Sequence, residues 1–459
     1  MLQDRHEIDK FFMDIQTLAS AMDPELTQID AILEDDMIFQ LVKHDLARRY
    51  PQTLQTGRPS TPVEVILRML VVRRLYRWSY EATERHVSDS LVLRRFCRAY
   101  FESVPDDTTL IRWAEQIRPE TLEMLNRRVT AIATELKVTQ GRKLRTDGTV
   151  VEANIHRPSD STLLADSVRV LSRTIKRARG LLQGVAQLPK AVFRDRTRSA
   201  KRAAQQISQK ARHGLSETKQ TYRYLVTIVK STVRQARQVC VALEAAPSSL
   251  AQTLQETLQT FLPRAEQVLA QTVRRVFWDE SVPAAQKIVS IFEPHTDIVK
   301  RGKVNREVEF GHKVWLDEVE GGIISHYRIL DDGAADCQQW QPSLDHHVQQ
   351  FGHPPRQASA DRGVYSAANE AYAAKLGVQR IVLPKAGAKS TERRQHEHQP
   401  WFRRIRRWHA GVEGRISVLK RKHGLDRCLD RREEGFARWV GLGIIVANLA
   451  VMGRALAHG

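Results

Sequence analysis

Three carboxylates stand where an idle acid is seldom found. Asp147 lies in the middle of K-L-R-T-D-G-T-V-V-E-A-N-I, a short stretch rich in β-branched residues, where an acid is disfavoured and costly to bury unpaired. Asp361 closes the small-residue strand in Q-A-S-A-D-R-G-V-Y-S-A, which turns through Arg362-Gly363 into a helix. The carboxyl end of a strand is where α/β sheets hold ligands. Glu413 sits in W-F-R-R-I-R-R-W-H-A-G-V-E-G-R-I-S-V-L-K-R-K-H-G-L-D-R, amid dense positive charge. At 3.6 residues per turn His409, Glu413, Ile416 and Lys420 share one helical face. Gly411 and Gly414 flank the acid at a cost in helix propensity, which points to close packing there.

Such acids, if they meet, suit phosphoryl transfer on nucleic acid. Two divalent ions about 3.5–4 Å apart can activate an attacking oxygen and stabilise a leaving one. Mg²⁺ is a hard cation that takes oxygen ligands, and clustered carboxylates repel one another unless a cation joins them. Spacing alone is thin support, because 53 acids allow many triples. Read by itself, the Glu413 helix is better taken as a solvated basic face with one stabilising acid. Asp147-Gly148 is also a turn signal, and Glu152 becomes the strand's inward acid if the register is off.

The elements that must position these residues follow from the rest of the pattern. With 459 residues the chain has room for two or three domains, and 42% hydrophobic with 27% charged residues describes an ordinary folded protein. A net charge of +19 and a pI near 10.0 attract polyanions, of which a nucleic-acid backbone is the commonest in cells. Cys97, Cys240, Cys337 and Cys428 form no C-x-x-C pair, which fits a reducing cytoplasm. The polar, charged opening from Met1 to Asp9 predicts no secretory signal. The apolar run from Trp439 to Ala455 is broken by Arg454, Asn448 and glycines, and reads as a packing helix, not a membrane span.

Residues 1–57 read as a helical lead-in with apolar positions at Phe11, Phe12, Ile15 and Leu18. Thr61-Pro62-Val63-Glu64 reads as a capping box ahead of a helix that is apolar nearly all round. The spacing predicts further helices over about 80–89, 91–100 and 108–134, a helix-turn-helix-like unit over 58–140 with Arg94, Arg95, Arg98 and Arg112 outside. It fits DNA binding or helical docking equally well. Residues 161–240 hold 18 Lys and Arg against three acids. With Gly180, Pro189, Pro247 and Pro263 as breaks, 161–302 reads as a basic helical insertion whose charge follows a phosphate backbone without reading bases, or else as a solvated hairpin. Strand patterns resume in a hairpin around Glu320-Gly321-Gly322, then a helix over 334–351, a strand to Asp361, a helix over 367–376, a strand over 378–383 and a loop over 385–399. The whole is mixed α/β.

Taken in order, R-T-D-G-T-V-V-E-A-N-I-H-R-P-S-D-S-T-L-L-A-D, A-S-A-D-R-G-V-Y-S and W-H-A-G-V-E-G-R-I-S-V-L-K-R-K-H-G-L resemble the three catalytic blocks of bacterial insertion-sequence transposases of the DDE class. R-P-S-T-P-V-E-V-I-L-R-M-L-V-V-R-R-L-Y-R-W-S-Y and V-P-D-D-T-T-L-I-R-W are similar to the helical N-terminal domain of that group. The resemblance implies an RNase H-like catalytic core, residues 141–160 and 303–430, split by the 161–302 insertion and followed by a packing helix over 431–459. It implies Asp147, Asp361 and Glu413 as catalytic, metal-binding residues for two Mg²⁺ ions, with Mn²⁺ as a substitute. The family motif Y-x2-R-x3-E-x6-K is kept at Glu413 and Lys420, with Arg406 at the tyrosine's place and His409 at the arginine's. His409, Lys420, Arg406, Arg415 and Arg362 are then expected at DNA. The implied activity is hydrolysis at transposon ends to free a 3′-hydroxyl, then attack on target DNA. A homodimer would hold the two ends, in the bacterial cytoplasm at the nucleoid and away from membranes. The alternatives are an RNase H-like nuclease that cleaves without joining, and a domesticated or decayed transposase that only binds DNA.

Overall fold

The opening helices gather around one that is buried on every side for its first twelve residues. The computed structural model describes the chain except residues 1–4, 6, 18–21, 49–51, 53–59, 183–193, 212–215, 247, 304–305, 332 and 459, so Leu18, Pro189 and Pro247 of the sequence reading lie outside the described residues. After α1 (Lys10–Thr17), α2 (Pro24–Ile32) and α3 (Asp36–Ala47) comes α4 (Val63–Tyr76), buried from Val63 to Arg74 even at Glu64, Arg68, Arg73 and Arg74. Arg68 is fully buried and divides its guanidinium among Glu64 at 2.9 Å, Glu34 at 2.8 Å, Asp30 and the Phe96 carbonyl. A buried cation needs such partners. Glu64 is therefore used inside the core, and the expected capping box does not form: Pro62 takes the N-cap position with no side-chain bond.

The next helices are capped as their sequences demand. Side chains of Ser79, Ser90 and Asp106 accept from the N–H of Ala82, Leu93 and Thr109 and start α5 (Tyr80–Asp89), α6 (Leu91–Phe96) and α7 (Asp107–Ala114), followed by α8 (Pro119–Glu135) with proline in its first turn. Two of the arginines expected outside turn inward. Arg94 donates to the carbonyls of Ser88 and Tyr100, and Arg98 meets Asp30 and Glu34. Arg112 is exposed.

By its contacts the chain divides into two compact units, Met1–Ala153 with His312–Gly459, and Asn154–Gly311. β1 (Lys143–Glu152) ends in the first. The second is a helical bundle of α9 (Asp160–Leu182), α10 (Thr197–Lys210), α11 (Lys219–Glu244) and α12 (Ser249–Phe277), closed around Leu164, Leu171, Leu225, Val229, Leu258 and Val268. α10 buries Ala200, Ala203, Ala204 and Ile207 and exposes Arg198, Lys201, Arg202 and Lys210. Gly180 and Pro263, expected as breaks, lie inside α9 and α12. Packed residues on both sides of Pro263 (Leu258, Leu262, Ala265, Val268) carry the helix through it, since most helical stability in a protein comes from packing. β2 (Asp297–Lys303) runs antiparallel to the first part of β3 (Arg306–Val319), with Asp297 opposite Gly311.

In the first unit the rest of β3 pairs antiparallel with β4 (Ile323–Leu330) across the expected Gly321-Gly322 turn, both glycines at positive φ. α13 (Trp340–Phe351), β5 (Gln357–Ala360), α14 (Ala367–Lys375) and β6 (Arg380–Val382) follow. The strand order is β4-β3-β1-β5-β6, with β1, β5 and β6 parallel. The predicted loop over 385–399 contains a helix, α15 (Thr391–His398). Ser390 caps it, and Glu397 accepts from Arg393 at 2.9 Å and from the Lys385 N–H at 3.0 Å. Two long helices end the chain, α16 (Pro400–His423) and α17 (Arg432–His458). α17 is long and apolar enough to cross a membrane, and it packs on α2, α4, α8 and β4. There Asn448 accepts from the Ile324 N–H at 2.8 Å and donates to Asn126 and the Ile324 carbonyl.

Because side chains alternate along a strand, the sheet has two different faces. Leu144, Ala358 and Ile381 belong to the core shared with α13 and α14. Arg145, Ser359 and Val382 face α16, which lies across the strands.

Candidate active site

β1 and β5 are in register from Lys143 opposite Gln357 to Thr146 opposite Ala360. The next residues on each strand are Asp147 and Asp361. Neighbouring strands lie about 4.8 Å apart, so Asp361, just past the carboxyl end of β5, stands beside Asp147 in the middle of β1, on the face that α16 covers. Glu152, the other acid on β1, is an odd number of residues from Asp147 and belongs to the opposite face. Its backbone joins the segment after α16, with the Cys428 N–H donating to the Glu152 carbonyl at 2.7 Å. The Asp147-Gly148 turn signal is overruled, since β1 runs unbroken through both.

The two acids differ electrostatically. Burial, then the negative charge of Asp361, pushes Asp147 up to about 6, while a bond from the Gly148 N–H at 2.7 Å works against the shift. The hydrogen bond from His409 holds Asp361 below the ordinary aspartate range, with help from the nearby charges of Arg362 and Arg406. His409 itself is buried. Its Nε2 donates to Asp361 Oδ1 at 3.2 Å and its Nδ1 meets Ser359 Oγ at 3.3 Å. The imidazole is thus a fixed bracket between β5 and α16.

α16 crosses the sheet in order. Phe402 and Ile405 cluster with Val382 of β6, His409 sits on β5, Gly411 meets Arg145 of β1, and Leu419 joins Val314 and Leu316 of β3. Arg145 pins the crossing. It makes a two-pronged ion pair with buried Glu318 at 2.7 and 2.8 Å, donates to the Trp408 carbonyl, and stacks on the Trp408 ring at 4.8 Å. A Cβ at Gly411 would stand 2.6 Å from Arg145 Nη1, whereas at Gly414 nothing lies within 4 Å. The close packing expected at the glycine pair is real at the first and absent at the second.

Asp147, Asp361 and His409 come together; Glu413 stands one helical turn beyond His409, exposed. Among the described residues no group of three or more His, Cys, Asp or Glu side chains is arranged to hold a metal ion. Arg406 and Arg362 are exposed beside Asp361, and Lys420 is half-buried farther along α16. Arg415, expected at DNA, turns toward α17 instead: burial lowers its pKa and it donates to the Ala447 carbonyl. One further acid escapes sequence reasoning. Asp336 adds to the negative field at Asp147, is paired with Lys313, and lies beside the Arg362-Gly363 turn. No periodicity marks it, because it sits in a single 3-10 turn, Asp336–Gln338.

A family model described as Transposase domain (DUF772) matches residues 14–116. No curated protein and no solved structure matches the chain. The family match falls on the α4-centred helical region and supports a transposase.

Proposed function

We propose that the chain is the DNA transposase of an insertion sequence, cutting transposon ends and joining them to target DNA by metal-dependent DDE chemistry on an RNase H-like core. The observation that carries the reading is the pair Asp147, in the middle of β1, and Asp361, just past the carboxyl end of β5, side by side on adjacent parallel strands. The strand order, antiparallel β3 and β4 followed outward by parallel β1, β5 and β6, is the order an RNase H-like sheet would have. The transposase-domain match and the +19 charge point the same way.

The donors fit Mg²⁺. Two carboxylates, one of them driven up to about 6 by burial and by its neighbour, form a site that a divalent cation would relieve. Asp147 and Asp361 would hold it, with Glu413 as third ligand. α16 rises about 6 Å over the four residues from His409 to Glu413, a little more than one strand spacing, and it is travelling from β5 toward β1. Glu413 is therefore carried toward the strand of Asp147. When bound, such ions activate the attacking oxygen and neutralise charge on the scissile phosphate. His409 orients Asp361 and keeps it ionised; Arg362 and Arg406 are placed to meet phosphate oxygens at the rim. Bacterial cytoplasm, double-stranded DNA and a homodimer bridging two ends complete the proposal.

The test is cleavage and strand transfer on the element's own ends with Mg²⁺ or Mn²⁺. D147N, D361N and E413Q should each lower both steps by at least about a thousandfold while DNA binding persists. Cleavage without joining of pre-cut ends marks the nuclease alternative. Binding without cleavage by the wild-type chain marks the binding-only one. Full activity in E413Q removes the third acid from the mechanism.

A further inference from the structure

At the opposite end of the same strands lies a cleft of about 460 Å³, walled by Arg142, Lys143, Arg356, Arg380, Arg404 and the edge of Trp408. Its remaining lining residues are Gln357, Gln379 and Ile405, with no acid among them. Arg142 and Arg356 stand just before β1 and β5, Lys143 and Arg380 open β1 and β6, and Arg404 comes from α16. Among the described residues none of the five side chains is ion-paired with a carboxylate; Glu320, close by, accepts from the backbone N–H groups of Arg142 and Lys143 at 2.8 and 2.7 Å. The little-exposed arginines of the unit, Arg68, Arg98, Arg145 and Arg393, are each matched to acids. Arg142, Arg356, Arg380 and Arg404 are exposed, and Lys143 is half-buried. Cations crowded on one concave surface repel one another, and two of them have only an aromatic ring to offset this, Lys143 over Trp408 at 5.9 Å and Arg380 over Trp401 at 6.0 Å. An anion would satisfy the arrangement.

We infer that this cleft binds the phosphodiester backbone of DNA at a distance from the reacting phosphate, a reading that rests on the transposase proposal for its ligand. Lys143 and Asp147 are four residues apart on one strand, roughly 13 Å at 3.3 Å per residue. One strand of duplex DNA advances about 3.4 Å per phosphate along its axis. A strand laid along β1 from the acids thus reaches the cleft about four nucleotides away. The guanidinium groups offer planar, paired donors suited to phosphate oxygens, and the Trp408 ring beside them, already stacked by Arg145, gives a flat apolar wall. With no base-reading geometry, the contact positions the DNA and does not select its sequence.

The experiment measures binding of a short labelled duplex of arbitrary sequence by the full chain, as a function of salt. R356A/R380A/R404A is compared with K137A/K375A/R394A, which removes three exposed cations outside the cleft. Each phosphate contact contributes about 0.9 to the slope of log affinity against log salt. The cleft variant should flatten that slope by about 2.7, so that the affinity lost between about 50 and 200 mM salt shrinks by about 40-fold. The control variant should keep the wild-type slope. An unchanged slope in the cleft variant, or equal flattening in both, overturns the inference. If inorganic phosphate at millimolar level displaces no duplex from the wild type beyond its ionic-strength effect, and the cleft variant still flattens the slope, a backbone site is supported over a small-anion site. Displacement beyond that effect, lost in the cleft variant, overturns the backbone assignment. Failure of the wild-type chain to cleave its ends would remove the transposase proposal while leaving this result readable. Cleavage with an unflattened slope would remove the cleft alone.

Discussion

Replacing Asp147 with asparagine should make the metal-free protein more stable, and by an amount that depends on pH. Asp147 ionises at about 6 in the fold against an ordinary value of 3.8, so the native state holds this proton more tightly than the unfolded chain does. The stability this contributes is therefore present below pH 3.8 and is lost as pH rises toward 6. A rise of roughly two pKa units is worth about 3 kcal/mol at 1.36 kcal/mol per unit. The asparagine side chain keeps the shape and can still accept the Gly148 N–H, but has no charge to bury. D147N should thus exceed wild type by about 1 kcal/mol at pH 4.5 and by about 3 kcal/mol above pH 6. Urea unfolding followed by tryptophan fluorescence reads the right unit, because every tryptophan except Trp278 lies in Met1–Ala153 or His312–Gly459. The titration is run in chelator and repeated with Mg²⁺, where a cation between the carboxylates should stabilise the wild type and narrow the gap. A gap that stays flat between pH 4.5 and 7, or a wild type more stable than D147N at neutral pH without metal, would refute the electrostatic account of the site.

Two further changes test how α16 is held. R145M strips the partner from Glu318, which is 1% exposed, and should cost about 3 kcal/mol in the same urea assay; adding E318Q should return most of that loss, and a cost below about 1 kcal/mol would show that the pair does not anchor the helix. G411A and G414A should move in opposite directions. Alanine at 414 meets nothing and should gain up to about 1 kcal/mol of helix propensity, whereas at 411 the Cβ is driven against Arg145 and the net effect should be a loss of at least about 1 kcal/mol; equal effects at the two positions would contradict the packing described.

Much of the fold is legible in the sequence because local rules and tertiary needs agree. Ser79, Ser90 and Asp106 cap the helices that they precede, and Gly321-Gly322 turns the hairpin between two period-two runs. Where local signals mislead, tertiary contacts override them. Glu64 has the spacing of a capping box and is a buried counter-ion of Arg68. Pro263 has the character of a break and is held in a helix by the bundle core. α15 carries no apolar stripe, and what stabilises it is charge. Although burial works in the other direction, Lys389, the Lys385 N–H and Arg393 hold Glu397 down to about 2. Ser390 followed by Arg393 and Glu397 at i,i+4 is the available signal, and it is hidden in a segment that otherwise looks like a basic loop.

The site is legible residue by residue and not as an arrangement, for a physical reason. Acids inside strand patterns are visible because they violate a propensity, so Asp147 and Asp361 stand out one at a time. That they are neighbours depends on the pairing of β1 with β5 across more than 200 residues, and register over such a distance leaves no local trace. His409 reads as a DNA contact because it takes the arginine's place in the motif that the third block resembles. It is buried because α16 must cross β5 at that point, and the crossing is set by Arg145, two residues before Asp147 on the same face. The block R-T-D-G thus joins two functions, an arginine that locks the helix against the sheet and an acid that the locked helix overhangs. Gly411 is the complement on the helix, leaving room for the guanidinium. An Arg at i−2 from a strand acid, matched to a glycine on a later basic helix, is the pairing that connects the first motif to the third.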